Sequence, residues 1–256
     1  MKTVLTLSPH LDDAAFSAGP LLAQLADRVR LVVATVFTKS VTDPQGFALA
    51  CQLDKGLTGS VDYMELRRGE DIAWSRKIGA EAVHGPFAEA PHRGYQSAPE
   101  LFGQILAGDE IGAELCDWLR SLTDVVKPDV MLVPLGIGDH VDHQWTRRIA
   151  EASNRGQFTL VYFKDQPYAA NSTSETLACD HSEADSLSEL RVALSEEALS
   201  SALFAAESYQ SQIEFQFGGV DQMRRTLSSA WKQTLPLFHR SEVSESVGFL
   251  TEPILI

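Results

Sequence analysis

The 256-residue sequence predicts an α/β fold with a Rossmann-like, mostly parallel sheet flanked by helices. Apolar runs rich in β-branched residues recur along the chain, and segments with helical spacing of apolar residues lie between them. We expect one domain over residues 1–256, because no repeat, low-complexity tract or linker interrupts this alternation. The expected strands are Thr3–Leu7, Val29–Phe37, Val130–Leu135 and Phe158–Phe163.

The segments between these strands carry apolar residues at the spacing of one helix face. They predict helices at Ala14–Ala26, Glu65–Ile78, Ile111–Val126, Asp142–Ser153 and Leu187–Gln212. Two further regions lack this spacing. His84–Asp109 is rich in glycine, proline and polar residues, and Ala169–Asp185 is nearly without large apolar residues. We expect both to be long surface loops that shape or cover a pocket.

The charge and the cysteines limit the classes of partner and compartment. With 21 Lys and Arg against 35 Asp and Glu, the net charge is −14, so nucleic acid and anionic membranes are not expected as partners. The N-terminus lacks a signal-peptide pattern, and no apolar run approaches the roughly 20 residues of a transmembrane helix. The separated cysteines Cys51, Cys116 and Cys179 indicate no disulfide scaffold and favour the cytoplasm. The sequence carries no signal that indicates the oligomeric state.

Two polar clusters each follow a predicted strand. The stretch SPHLDDAAFSAG (Ser8–Gly19) begins where the first strand ends, and GDHVDH (Gly138–His143) follows the strand Val130–Leu135. Because ligands bind beyond the carboxyl ends of parallel strands, residues at these positions are candidates for function. If the two strands are neighbours in the sheet, the clusters meet at one edge.

The residue types in these clusters favour a metal site. Two histidines and a carboxylate form the common ligand set of a catalytic zinc, and the remaining groups are available for proton transfer. A structural alternative is that Asp12 or Asp13 caps the following helix, and that His140 and His143 lie on a solvated helix face. Two His-plus-Asp clusters among seven histidines favour the metal. The candidates are His10, Asp12, Asp13, His140 and His143.

Together, SPHLDD and HVDH resemble the paired signatures of the PIG-L/LmbE-like zinc-dependent N-acetylglucosaminyl deacetylases. The first signature of that family ends in x-D-D after a histidine, and the second is H-x-D-H. Four further stretches are similar to the family's R-x-x-E helix, its D-A-P-Y-R-like loop, its strand before a P-Y pair and its Y-x-S-Q segment. They are RRGEDIAWSRKIGA (Arg67–Ala80), FAEAPHRGY (Phe87–Tyr95), LVYFKDQPYA (Leu160–Ala169) and ESYQSQIEF (Glu207–Phe215).

The resemblance implies a role for each matching residue. The metal ligands would be His10, Asp13 and His143. Asp12 would be the general base that takes a proton from the zinc-bound water. His140, protonated and held by a hydrogen bond that it donates to Asp142, would stabilise the oxygen that gains negative charge. The proton for the departing amine would come from Asp12 or from His140.

The resemblance also implies a set of substrate-binding residues. For Arg67 the alternative is a helix-surface arginine paired with Glu70 or Asp71. At position 89 many relatives have Asp, and the additional methylene of glutamate shifts the carboxylate by more than a hydrogen bond tolerates. The expected substrate-binding residues are Arg67, Glu89, Arg93 and Tyr168.

The activity implied by the resemblance is removal of an N-acyl group, expected to be acetyl, from an amino sugar or a metabolite that contains one. Zn²⁺ is the expected cofactor, although nitrogen and oxygen ligands accept other divalent first-row metals. Two alternatives are a metal-dependent hydrolase of another amide or ester in a specialised metabolite, and a noncatalytic homologue. A nucleotide-binding protein is disfavoured, because the first strand is followed by two acidic residues and not by G-x-G-x-x-G.

Overall fold

The computed structural model describes residues 1–171, 187–240 and 247–251. In these ranges, seven strands form a single sheet. They are β1 (Thr3–Ser8), β2 (Arg30–Thr35), β3 (Glu81–His84), β4 (Val130–Pro134), β5 (Thr159–Phe163), β6 (Leu187–Ala193) and β7 (Thr234–Arg240). Their order across the sheet is β3-β2-β1-β4-β5-β7-β6.

The sheet is mostly parallel, which confirms the predicted fold class. The first five strands in that order run parallel, whereas β7 is antiparallel to both β5 and β6. Every residue of β1 and β4 is buried, as expected for central strands covered by helices on both faces. β1 and β4 are hydrogen-bonded neighbours, so the two polar clusters that follow them lie at the same edge of the sheet.

Helices cover both faces of the sheet. On one face α1, α8 and α10 pack with Trp231 in the core, and on the other α5 and α6 pack around Leu119 and Ile149. In the described residues, no helix is both long and apolar enough to cross a bilayer. The helices are α1 (Asp13–Leu25), α2 (Gly46–Leu53), α3 (Tyr63–Lys77), α4 (Ala98–Leu101), α5 (Gly112–Val126), α6 (Val141–Ser153), α7 (Tyr168–Asn171), α8 (Glu196–Ala206), α9 (Gln210–Phe217) and α10 (Val220–Trp231).

The predicted helix Leu187–Gln212 is wrong. Its first seven residues form β6, which pairs with β7 from Leu187 opposite Arg240 to Ala193 opposite Thr234. The helix begins only after Ser195, whose side chain accepts a hydrogen bond from the backbone N–H of Ala198. A serine followed by two glutamates is a helix-start signal that separates the strand from the helix.

The two expected loops differ in outcome. His84–Asp109 is mostly irregular, with a 3₁₀ turn at Ala90–His92 and the short α4, but its Ala90, Tyr95 and Leu101 pack on Val141 of α6. This segment therefore forms a small core of its own against the helix that carries the second polar cluster. Of the second expected loop, Ala169–Asp185, residues 172–185 lie outside the described residues.

Candidate metal centre

Asp13, the first residue of α1, lies at the centre of the site. Its Oδ2 accepts a hydrogen bond from the backbone N–H of His10 at 2.8 Å. The same oxygen lies 3.2 Å from His10 Nδ1 and 3.2 Å from His143 Nε2. The Ser8 hydroxyl supports this turn, because it donates to the carbonyl of His10 and accepts from the N–H of Ala14. The β1–α1 turn and the start of α6 thus bring His10, Asp13 and His143 together.

Each of the two histidines is held by a second carboxylate. His143 Nδ1 hydrogen-bonds to Asp165 Oδ1 at 2.6 Å, and His10 Nε2 hydrogen-bonds to Asp142 Oδ2 at 2.9 Å. A proton on those two nitrogens leaves His143 Nε2 and His10 Nδ1 as the free ring nitrogens, and both face Asp13. Carboxylate partners of this kind fix the tautomer and orientation of metal-binding histidines.

Asp165 is itself rigidly placed. It is buried after the end of β5, and its Oδ2 accepts from the backbone N–H groups of Gly136 and Ile137 at 2.9 and 3.0 Å. These two residues lie in the loop between β4 and α6. Asp165 therefore ties the His143 imidazole to the same loop that leads into α6.

The burial and charge of the cluster indicate that a cation belongs there. His143 Nε2 is buried and has no hydrogen-bond partner among the described residues, an arrangement that costs roughly 1–3 kcal/mol unless the atom is satisfied. Burial lowers the pKa of His143, but the charges of Asp13 and Asp165 raise it to about 9. Burial opposes ionisation of Asp13 too, yet His143 and His10 hold its pKa well below the ordinary value. Protons on the imidazoles supply the positive charge that a bound metal would supply in their place.

Two overlapping groups in the described residues have ligand atoms within 4.8 Å of one another: His10, Asp13 and His143, and His10, His140 and Asp142. In the second group, His140 Nδ1 and the Asp142 carboxylate are already used. His140 Nδ1 accepts from the backbone N–H of Asp142, and the Asp142 carboxylate accepts from His10, Arg93 and the N–H of Ala90. The first group keeps its free nitrogens and fits a metal better.

Asp12 lies beside Asp13 but in a different environment. Its Oδ1 accepts from Arg67 Nη2 at 3.1 Å, and its Oδ2 accepts from Gln216 Nε2 at 2.6 Å. Burial raises the pKa of Asp12, Arg67 lowers it and Asp13 raises it, with a result of about 6. Two adjacent carboxylates therefore differ in character: Asp13 is held ionised between imidazoles, whereas Asp12 can exchange a proton near neutral pH.

The expected contact between Asp142 and His140 differs in the structure. The Asp142 side chain points to His10 and Arg93, and only its backbone N–H reaches His140 Nδ1 at 3.2 Å. An imidazole nitrogen that accepts a hydrogen bond carries no proton. Burial and the positive charges of His10 and His143 lower the pKa of His140 to about 3. The expected hydrogen bond between the Asp142 carboxylate and His140 is therefore wrong, and the acceptor role of Nδ1 leaves Nε2 as the nitrogen of His140 that can donate.

The two arginines expected to bind substrate are used within the protein. Buried Arg67 donates to Asp12, to the carbonyl of Leu11 and to Glu89 Oε1, the last at 2.6 Å. Arg93 donates to Asp142, to both carboxylate oxygens of Asp109 and to the carbonyl of Ala88. Both arginines thus hold carboxylates that lie next to the metal-ligand candidates.

The alternative partners of Arg67 are also occupied elsewhere. Glu70 accepts from the backbone N–H and the hydroxyl of Ser211, and Asp71 accepts from Tyr209 and contacts His84. The pairing of Arg67 with Glu70 or Asp71 at the helix surface is therefore wrong.

Two other residues expected to bind substrate lie near the cluster. The Glu89 side chain is partly exposed and pairs with Arg67. The Tyr168 ring centroid lies 5.5 Å from that of His143 and 5.8 Å from that of Phe102, and the Phe102 ring also packs on His140. Tyr168 and Phe102 therefore form an aromatic wall next to His143 of α6 and next to His140, the N-cap residue of that helix.

The sequence of residues 5–153 matches the family described as PIG-L: GlcNAc-PI de-N-acetylase. The matched segment holds both polar clusters in their expected order. The chain belongs to this family. The resemblance drawn from SPHLDD and HVDH is confirmed.

Individual relatives are named as deacetylases. The 2'-N-acetylparomamine deacetylase of Streptomyces fradiae is 33% identical over 167 residues, which are 64% of this chain and 57% of that relative. The chain thus matches less than two thirds of the relative's length. The structure of the A40926 pseudoaglycone deacetylase Dbv21 is similar with a TM-score of 0.75 and 27% identity, covering 92% of this chain and 96% of that one. The structure of the zinc-inhibited form of teicoplanin deacetylase Orf2 is similar with a TM-score of 0.78 and 25% identity, covering 94% of this chain and 100% of that one.

Sequence reasoning missed two residues that contact the cluster, Asp165 and Gln216. Asp165 lies two residues after β5, in KDQPY, and the rule that places functional groups after parallel strands could have found it. Gln216 lies on α9, in a polar stretch with no motif, and its position depends on how that helix packs.

Proposed function

We propose that the protein is a zinc-dependent hydrolase that removes an N-acyl group, acetyl in the simplest case, from an amino sugar or an amino-sugar-containing metabolite. The observation that carries this proposal is the pair of carboxylate-bound histidines whose free nitrogens face Asp13, with Asp12 beside them. The named activities of the family and of the relatives support the same bond and the same class of substrate.

In this proposal the metal is held by His10, Asp13 and His143. A bound zinc supplies a Lewis acid for the acyl carbonyl and lowers the pKa of a coordinated water to about 7. Asp142 and Asp165 act on the two histidines only, since they fix which ring nitrogen is free. Other divalent first-row metals satisfy the same ligands.

Asp12 is proposed as the general base. A carboxyl with a pKa near 6 accepts a proton from the attacking water near neutral pH and can give it up again. A C–O bond forms at the acyl carbon as that proton moves to Asp12, and the C–N bond then breaks as Asp12 passes the proton to the leaving amine. The products are a carboxylate and the free amino sugar.

His140 is proposed to stabilise the acyl oxygen as a neutral donor. Its Nδ1 accepts a hydrogen bond from the N–H of Asp142, so its proton lies on Nε2. A preorganised donor at the oxygen that gains negative charge favours the transition state over the ground state. Asp12, which has received the proton of the water, is therefore the better source of the proton for the amine.

For the substrate, we propose that the aromatic wall of Phe102 and Tyr168 contacts the sugar. We also propose that Arg67 compensates for the additional methylene of Glu89, because it holds Oε1 and leaves the second carboxylate oxygen to accept from a sugar hydroxyl. Phe102 is 43% exposed although it packs on His140, which favours a surface that a ligand covers. The loops expected to set specificity include residues outside the described ranges.

We also propose that the protein is cytoplasmic, in keeping with the free thiols of Cys51 and Cys116.

The test is product analysis with zinc-loaded protein on a panel of N-acetylated amino sugars, including 2'-N-acetylparomamine, and of simple amides and esters. Mass spectrometry should show loss of one acetyl group from at least one sugar, with release of an equal amount of amine. Asp12→Asn should keep its zinc and lower turnover by roughly a hundredfold or more, the usual scale for a general base. Hydrolysis of amides or esters with no amine released from any sugar would favour the alternative hydrolase.

A further inference from the structure

Resting on the proposed function, we propose that Gln216 is the positioning residue for the general base Asp12. Gln216 lies on α9, beyond the segment 5–153 that matches the family. In the described residues its side chain hydrogen-bonds to the base and to none of the three metal-ligand candidates. Its amide would hold the Asp12 carboxylate in the orientation that proton transfer needs.

The geometry gives Asp12 two anchors from opposite segments of the chain. Gln216 Nε2 donates to Oδ2 at 2.6 Å, and Arg67 Nη2 donates to Oδ1 at 3.1 Å. With one donor on each oxygen, the plane of the buried carboxylate is fixed. Arg67 is additionally shared with Glu89 and the carbonyl of Leu11, whereas Gln216 has Asp12 as its hydrogen-bond partner in the described residues.

The helix that carries Gln216 is firmly docked. Ser211 donates through its N–H and its hydroxyl to Glu70 of α3, both at 2.7 Å. The buried Gln212 donates to the Tyr63 hydroxyl at 2.9 Å. At the other end of α9 the Phe217 ring packs edge-on against Phe16 of α1, with centroids 5.1 Å apart. The position of Gln216 is therefore set by contacts on both sides of it.

A glutamine suits a buried carboxylate that must be held in place without an added charge. Its NH₂ donates to Asp12 Oδ2 at 2.6 Å. It brings no positive charge, so it does not weaken the base as a second arginine would. The Gln216 amide therefore orients the Asp12 carboxylate without placing a second cation beside it.

The experiment compares Gln216→Met with the unchanged protein on the substrate identified by the product analysis. Methionine keeps the length and helix propensity but has no N–H. Since a hydrogen bond to a charged group is worth about one tenfold step in rate or more, kcat should fall about tenfold while KM and zinc content stay within twofold. The matched control is Gln210→Met, at an exposed position on the same helix, which should leave kcat and KM unchanged.

A double-mutant cycle shows whether Gln216 acts through Asp12. In the Asp12→Asn background Gln216→Met should cost less than twofold, because the carboxylate that it positions is gone. An equal loss in both backgrounds, or a rise in KM with unchanged kcat, would overturn the positioning role. Gln216→Glu, which keeps the side-chain shape and places a second carboxylate against Asp12, should lower kcat further than Gln216→Met.

The outcomes separate this inference from the proposed function. Normal turnover in Asp12→Asn alone would remove the base and with it the role of Gln216. A strong loss in Asp12→Asn together with normal kcat in both Gln216 variants would overturn the positioning role only.

Discussion

The segment that matches the family, residues 5–153, and the later part of the chain contribute different things to one site. The first segment carries the groups that would do the chemistry: His10, Asp12, Asp13 and His143. The later part adds the antiparallel strands and helices α8 to α10, and from it come Asp165 and Gln216, which hold His143 and Asp12. Reactive groups are thus concentrated in two short motifs, whereas part of their orientation is supplied from far along the chain.

The largest effect on zinc affinity is expected when a metal-ligand candidate is removed from the first segment. His143→Ala deletes one of the three metal-ligand candidates, so zinc affinity should fall by more than the roughly 10- to 100-fold that loss of an outer partner costs. Competition with a chromophoric chelator measures the change. Affinity equal to that of the unchanged protein would reassign the ligand.

A smaller effect is expected when the orienting group from the later part is changed. Asp165→Asn keeps the shape but weakens the hydrogen bond that fixes the His143 tautomer, so zinc affinity should fall about 10- to 100-fold.

The matched control for Asp165 is Asp71→Asn. Asp71 is an equally buried aspartate that contacts His84 and Tyr209, away from the cluster. This variant should lower stability and leave zinc affinity unchanged. A similar loss of affinity in both variants would mean that Asp165 acts through folding and not through His143.

Gly138 of the first segment contacts Tyr168 of the later part of the chain. A substitution at this contact should have the smallest effect on the site. Gly138 has φ +90°, and a Cβ added there would lie 3.0 Å from Tyr168 Cγ. Gly136 has φ +84°, and no described residue lies within 4 Å of such a Cβ. Both Gly→Ala variants should lose about 1–2 kcal/mol of unfolding free energy for the backbone conformation. Gly138→Ala should lose more and also raise KM, as measured by urea denaturation and steady-state kinetics.

Equal stability and equal KM in the Gly136→Ala and Gly138→Ala variants would show that the packing of Tyr168 against this turn does not matter to the site.

The fold and the reactive groups could be predicted because their signals are local. A buried parallel strand is a continuous apolar run, and a polar cluster directly after it lies at the edge where ligands bind. The strand Leu187–Ala193 could not be assigned in this way, since its residues form helices equally well and become a strand by pairing with β7, over forty residues later.

The orienting contacts are non-local, which explains the errors in the site. The short motif predicts a hydrogen bond between Asp142 and its neighbour His140. In the structure the Asp142 carboxylate instead reaches His10, 132 residues away in sequence, because Arg93 and the N–H of Ala90 also donate to it on that side. The partners of Arg67 and Arg93 are non-local in the same way, since burial requires each guanidinium to pair with carboxylates of the protein.

The central claim is that a single metal ion is held by His10, Asp13 and His143. A crystal structure of zinc-loaded protein with anomalous scattering data at the zinc edge tests it directly. We expect one anomalous peak per chain, within bonding distance of His10 Nδ1, an Asp13 carboxylate oxygen and His143 Nε2, about 2.0–2.2 Å in each case. A peak between His10, His140 and Asp142, or no peak after reconstitution with zinc, would contradict the claim.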